Sequence, residues 1–111
     1  MDILEILQTL TPAEIAGATN IFPDQDAINI NDLAQYIEDM SSGNWNWSRM
    51  STEIRMGRTQ DGSLILINGH HRFLAARYTN TLIPDWAIEY VELPDLSFSY
   101  TWNMVGWMDW E

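Results

Sequence analysis

The apolar positions of this chain change period several times, and each change marks an element. Ile3, Ile6, Leu7 and Leu10 fall at i, i+3, i+4 and i+7, which predicts a short amphipathic helix with Asp2 and Glu5 near its positive end. Thr11-Pro12-Ala13-Glu14 restarts the chain, with Thr11 as cap, Pro12 at the first helical position and Glu14 able to close a capping box; Gly17 ends that turn. The two segments serve either as packing helices or as an arm for a partner. Ala18 to Ile28 has no clear period and reads as a connector containing Pro23, Asp24 and Asp26. Asn31 then caps a helix with a buried line of Leu33, Tyr36, Ile37 and Met40 and a solvent face of Asp32, Gln35, Glu38 and Asp39, stopped by Ser41-Ser42-Gly43.

Trp45 and Trp47 alternate with Asn44, Asn46 and Ser48, so an extended segment would send both indoles to one side, as a core edge or as the wall of a ligand site. Glu53 to Arg58 reads as a strand interrupted by Gly57, and the Asp61-Gly62 turn joins it in a hairpin to the apolar run Ser63 to Ile67. Asn68-Gly69 breaks that run. From His70 the period becomes helical, with Phe73 and Ala76 on one line, Leu74 and Tyr78 on another, and two wettable edges. Asn80 and Pro84 end this helix, and Trp86, Ile88 and Tyr90 alternate with Ala87, Glu89 and Val91 as a further strand. Pro94 to Phe98 reads as a loop. The tail holds Trp102, Trp107 and Trp110, and either folds back over the core or forms a docking surface for a protein partner.

The expected fold is α+β: a small mixed sheet of strands 54–58, 63–67 and 86–91, flanked by helices 32–40 and 70–79, with extra N-terminal helices and a Trp-rich C-terminal segment. Leu33, Ile37, Ile54, Leu64, Leu66, Phe73, Ala76 and Ile88 are its expected core. The organisation is an N-terminal arm and connector over 1–29, a core over 30–93 and a C-terminal segment over 94–111.

Composition narrows the functional classes. One domain fits in 111 residues, and an apolar fraction of 46% argues for a folded chain. The absence of cysteine removes disulfides, thiolate nucleophiles and cysteine-ligated zinc. The net charge is −11, yet all five basic residues are arginines, Arg49, Arg55, Arg58, Arg72 and Arg77, in the stretch that also holds both histidines. Such a chain repels a polyanion as a whole but leaves room for a local anion site. The acidic N-terminus does not resemble a secretory signal and no apolar run is long enough to span a membrane, so a cytoplasmic location is expected; the alternative is a toxin domain of a longer secreted chain.

The strand-turn-helix Asp61 to Tyr78 carries the candidate chemistry. It places His70, His71 and Arg72 in a first helical turn, where free N–H groups and the dipole attract an anion. Gly69 allows a left-handed backbone and close ligand approach. Arg72 offers a bidentate fork to phosphate, His71 a hydrogen bond, and His70 a general acid or base, or a metal ligand if a carboxylate joins it. Against these stand duller roles: a histidine that caps or packs, an Arg72 paired with Asp61, Glu53 or another acid, and an Arg77 that is surface or ion-paired.

Leu66-Ile67-Asn68-Gly69-His70-His71-Arg72-Phe73-Leu74-Ala75-Ala76 resembles the central motif of the ParB/sulfiredoxin superfamily, over about Ile30 to Leu93. The resemblance implies that nucleotide phosphates meet the turn and helix start, with Gly69, His71 and Arg72 at phosphate-contacting positions. His70 stands where sulfiredoxins carry their reactive cysteine, which removes sulfiredoxin chemistry; the chain also lacks the Glu-Arg pair of partition proteins. The two-histidine form is most similar to small ParB-like nuclease domains. The leading expectation is therefore a phosphate-ester or phosphoanhydride hydrolase acting on a nucleotide or nucleic acid. His70, His71 and Arg72 would be catalytic, Asn68, Gly69, His71, Arg72 and Trp47 would hold the nucleotide, and Glu53 or Asp61 would be candidate ligands for Mg2+ or Mn2+. Free nucleotide is favoured over nucleic acid by the charge. The alternative is a non-catalytic module that binds a nucleotide or a protein.

Overall fold

The computed structural model describes residues 2–50, 52–93 and 99–108. Four strands form a mixed sheet in the order β1 (Ile21–Pro23), β4 (Leu64–Asn68), β3 (Ile54–Arg58), β5 (Ile88–Glu92). Only β3 and β4 are antiparallel, as the hairpin that Asp61-Gly62 predicts; β1 runs parallel to β4, and β5 parallel to β3. A second, two-stranded sheet pairs β2 (Ala27–Asn29) in parallel with β6 (Gly106–Met108). The α+β class and a small mixed sheet flanked by helices are thus observed. The supposed connector before residue 29 supplies two strands, too short for a period to show.

The local signals place the helices. Helix α1 (Ile3–Leu7) is capped by Asp2, and α2 (Pro12–Ala16) by the full Thr11–Glu14 capping box, with bonds of 3.1 and 2.8 Å. Helix α3 (Ile30–Ser41) is capped by Asn29, not Asn31: burying Ile30 completely draws the first turn back, and Asn29 accepts the Asp32 N–H at 3.0 Å. Helix α4 (His70–Thr79) is far less wettable than the two-edged pattern implies, and half-buried His71 is the exception in its first turns. His70, Arg72, Phe73, Leu74, Ala75 and Ala76 are all buried, because α3, α2 and the sheet enclose it. Gly57 does not interrupt β3; it is buried within the strand under the Leu93 side chain.

One core joins all parts of the chain. Leu33, Ile37, Ile54, Leu66, Phe73 and Ala76 are buried as expected, with Leu64 and Ile88 half-buried against them, and Leu7 and Ile15 of the N-terminal helices join the same cluster. The C-terminal segment folds back. The Trp102 ring stacks on Phe73 with centroids 5.8 Å apart, and its Nε1 donates to Ile21 O at 2.8 Å. Trp107 Nε1 reaches Leu10 O at 2.9 Å. Trp102 is therefore core rather than docking surface and Trp107 is half-buried, while Trp110 and the expected Pro94–Phe98 loop lie outside the described residues. Among the described residues the exposed large aromatics are instead Trp86 and Tyr90. No described helix is long and apolar enough to cross a membrane.

Because Trp102 fills space between Phe73 and β1, Trp102→Ala is expected to cost about 3–5 kcal/mol. Trp102→Phe, which keeps the stack and loses one hydrogen bond, should cost about 1 kcal/mol. Guanidinium unfolding of both variants measures the difference, and equal midpoints would show that the ring is not a core element.

Candidate functional site

Strand β4 ends in Asn68, whose Nδ2 donates to Glu53 O at 3.1 Å and so clips the strand end to the chain entering β3. Gly69 follows with φ 99°, and a Cβ there would stand 2.9 Å from Ile54 Cγ1, so both conformation and space require glycine. Helix α4 begins at once. Its first internal bond is Phe73 N–H to Gly69 O at 2.8 Å, and among the described residues no side chain caps it. Among the described residues, the N–H groups of His70, His71 and Arg72 meet no acceptor. They open into a cleft of about 510 Å³ lined by these residues together with Tyr36, Trp45, Arg49 and Thr52.

Arg72 is the unusual group in this cleft. It is only 6% exposed, and among the described residues no carboxylate pairs with it. Its guanidinium donates instead to neutral acceptors: Thr52 O, Met50 Sδ at 2.8 Å and Thr52 Oγ1 at 3.3 Å. Burial lowers its pKa, but guanidinium remains charged at pH 7. The alternative, an ion pair with Asp61, Glu53 or another acid, is not made among the described residues. The result is a buried positive charge compensated only by dipoles, an arrangement that a ligand anion would relieve.

The histidines are tied to two segments distant in sequence. His70 is buried, and its Nε2 accepts the Asp24 N–H at 3.3 Å while its ring also bonds to the backbone of Leu66. Asp24 Oδ1 lies 3.1 Å from the same nitrogen, a contact that becomes an ion pair only on protonation. Desolvation, reinforced by the neighbouring His71, opposes that and pushes the ring down to about 4, leaving it neutral at pH 7. Burial likewise raises the Asp24 carboxyl above its ordinary range. His71 is half-buried, and its Nε2 accepts the Asn29 N–H at 3.1 Å. Burial lowers its pKa, against Asp32, which raises it. With Nε2 accepting, the neutral His71 carries its proton on Nδ1.

Of the residues singled out from sequence, Asn68, Gly69, His70, His71 and Arg72 line one cleft. Trp47 does not. It sits in a short 3-10 turn, Trp47–Arg49, and borders a different hollow with Glu53 and Trp86, whereas Trp45 faces the cleft. The extended alternation fails because Asn46 bonds forward to Ser48 N–H and folds the chain; Tyr36, Trp45 and Trp47 instead meet edge to face at 5.7 and 5.1 Å. The Mg2+ or Mn2+ site is also corrected. Among the described residues no three His, Asp or Glu side chains converge, and Asp61 is spent in its own turn, accepting from Thr59 Oγ1 and from Ser63 N–H at 2.9 Å. Sequence reasoning missed Thr52, Met50 and Tyr36. Tyr36 read as a core position of α3, and nothing in the local pattern marked the other two. Arg49 was visible only as part of the arginine cluster.

The pH dependence of stability tests the His70 environment. An unfolded histidine titrates near 6.5 and the folded ring near 4, so the unfolded state takes up the proton first. The stabilisation is fully present above the unfolded value and is lost as pH falls toward about 4. Between neutral pH and about pH 4.5 it should amount to about 2–3 kcal/mol. Denaturant titrations at both pH values should show this loss in the wild type and a flatter profile in His70→Gln; parallel profiles would contradict the assignment.

No protein-family model, curated protein or solved structure matches this chain.

Proposed function

We infer that the cleft at the start of α4 binds the phosphate groups of a nucleotide, and that the chain is a nucleotide-binding module of the ParB/sulfiredoxin-like kind. The observation that carries this reading is the buried Arg72, unpaired with any carboxylate among the described residues, beside three N–H groups that meet no acceptor. A phosphate placed there gains charge-assisted bonds from the helix start, Arg72, Arg49 and His71 Nδ1–H. Trp45 and Tyr36 supply an aromatic wall within the same cleft, suited to a base or another flat ring.

Binding is favoured over turnover because both histidines spend Nε2 on a backbone N–H, so neither presents a free basic nitrogen in this geometry. A hydrolase reading, acting on a phosphoanhydride or phosphate ester, has one observation in its favour: the Asp24 carboxyl touching His70 is a route by which a proton can leave the ring. In that reading His70 moves the proton and Arg72 stabilises the charge that develops on the phosphoryl oxygens. The net charge of −11 favours a free nucleotide over a polymer in both cases.

Calorimetry and phosphorus NMR with each common nucleoside di- and triphosphate test the reading. His71→Ala and Arg49→Ala should each weaken binding by about tenfold, the value of one charge-assisted contact. Arg72→Met should weaken it by about tenfold to a hundredfold, with circular dichroism checking that the strand entrance stays folded. Shifted but intact phosphorus signals identify a binding module, whereas new signals that vanish in His70→Ala identify a hydrolase. Unperturbed signals for every nucleotide would remove the proposal.

A further inference from the structure

A second feature, on the sheet rather than at the cleft, has no use in nucleotide binding. Strand β5 (Ile88–Glu92) is the outer strand of the four-stranded sheet, and among the described residues no strand pairs with its free side. The direction of its backbone groups follows from one bond: Leu93 N–H donates to Arg58 O at 3.0 Å, toward β3. Alternate residues of a strand share a direction, so Glu89 and Val91 also face β3, while Ile88, Tyr90 and Glu92 aim their N–H and C=O groups outward. An open edge of this kind is a template for another strand.

The side chains of the same residues border an apolar hollow. Ile88 and Tyr90 line a groove of about 360 Å³ together with Met56, Phe73, Leu82 and Ile83. Leu82 is 84% exposed and Tyr90 is 40% exposed at its rim, and Trp86, just before the strand, is 65% exposed. Among the described residues, three of the five large apolar ones left at the surface therefore flank one strand edge. A strand added to β5 would place every second side chain over this groove.

Charge selects the occupant. Arg55 and Arg58 belong to β3 and are paired with Glu89 and Glu92, and the Arg58 guanidinium also lies 5.0 Å over the Tyr90 ring; the acidic members are carried by the outer strand itself, and Glu92 has a side chain 77% exposed. A second copy is a poor fit. Antiparallel pairing about Tyr90 would set Ile88 against Glu92 twice, and would join two molecules each of net charge −11. We propose that β5 is a docking edge for an extended segment of a different protein, with apolar side chains alternating along one face and basic residues flanking them.

The probe is a short fluorescein-labelled peptide, KVTVTVK, blocked at both ends, titrated against the whole chain and followed by anisotropy and amide hydrogen exchange. Binding should slow exchange at the amides of Ile88, Tyr90 and Glu92. A peptide of the same composition methylated on alternate backbone nitrogens keeps the charge and loses the ladder, and should bind about tenfold or more weakly. Leu82→Asp, at an exposed position that does not disturb the fold, should weaken the parent peptide to a similar degree, and Tyr90→Pro, which removes an outward N–H, should abolish the protection. Equal binding of the methylated peptide would reduce the contact to charge alone and overturn the proposal. Absence of binding would overturn it too, and so would a concentration-dependent dimer in sedimentation that Tyr90→Pro dissolves, which would give the edge to a second copy.

Discussion

The buried guanidinium of Arg72 holds the start of α4 against the chain that enters β3. Its donors meet the carbonyl and hydroxyl of Thr52 and the thioether of Met50, so one side chain fixes the approach to the central strand by contacts made entirely with neutral groups. Desolvating a cation costs several kcal/mol unless it is compensated, and dipoles compensate less well than a carboxylate. A chain with sixteen acidic residues could place one there easily, yet none of those described is used. A carboxylate in that position would make the fold more stable and would close the cleft to any other anion.

The same region shows how a short turn can organise a small protein. Gly69 allows the chain to pass from β4 into α4 without a connecting loop, and the two residues that follow each fasten a different segment. His70 accepts from Asp24 just after β1, and His71 accepts from Asn29 at the cap of α3. Together with Arg72, three consecutive side chains bind the β1–β2 connection, the start of α3 and the entrance to β3 to one helical turn. Rigid placement of first-turn groups is what an anion site needs, because N–H donors and side chains then converge without reordering on binding. It also explains why the histidines are neutral: they serve the fold through their lone pairs.

What the sequence disclosed follows from how local each signal is. The capping box at Thr11, the Asp61-Gly62 hairpin, the Gly69 turn and the Asn80 helix end each depend on residues within a few positions, and all four are present in the fold. Strands β1 and β2 were illegible because three residues carry no period; they exist only because β4 and β6 lie beside them. The site was legible in its first-turn residues, which are contiguous, and illegible in Thr52, Met50 and Tyr36, which reach it through the tertiary fold. Trp45 and Trp47 were placed on one side together, and Trp47 at the site, because Asn46, read as one face of an extended segment, instead bends the chain. Arg77 lies at the surface, one of the two places the sequence allowed it, but its partners were not legible: its Nε donates to Ala16 O at 2.8 Å and its Nη2 to Ala18 O at 3.1 Å, a distant helix end.

The five arginines divide in a way that bears on what this acidic molecule can receive. Arg55 and Arg58 are paired with glutamates on β5, and Arg77 is committed to the carbonyls after α2. Arg49 and Arg72 remain without a carboxylate among the described residues, and both line the same cleft. Carboxylates stand beyond the rim of that cleft, which itself is lined by no acidic residue among those described. Asp32 is close enough to raise the His71 pKa, and Glu38 and Asp39 continue the acidic face of α3. At physiological ionic strength charges interact over about 8 Å, roughly the reach of a few linked phosphates. A small anion seated on the helix start therefore feels two arginines and the dipole, whereas each further phosphate of a polymer would extend toward carboxylates. If the cleft binds nucleotide as proposed, specificity for a small ligand would need no steric gate, since the acidic residues would oppose longer chains while the unpaired guanidinium would hold a short one.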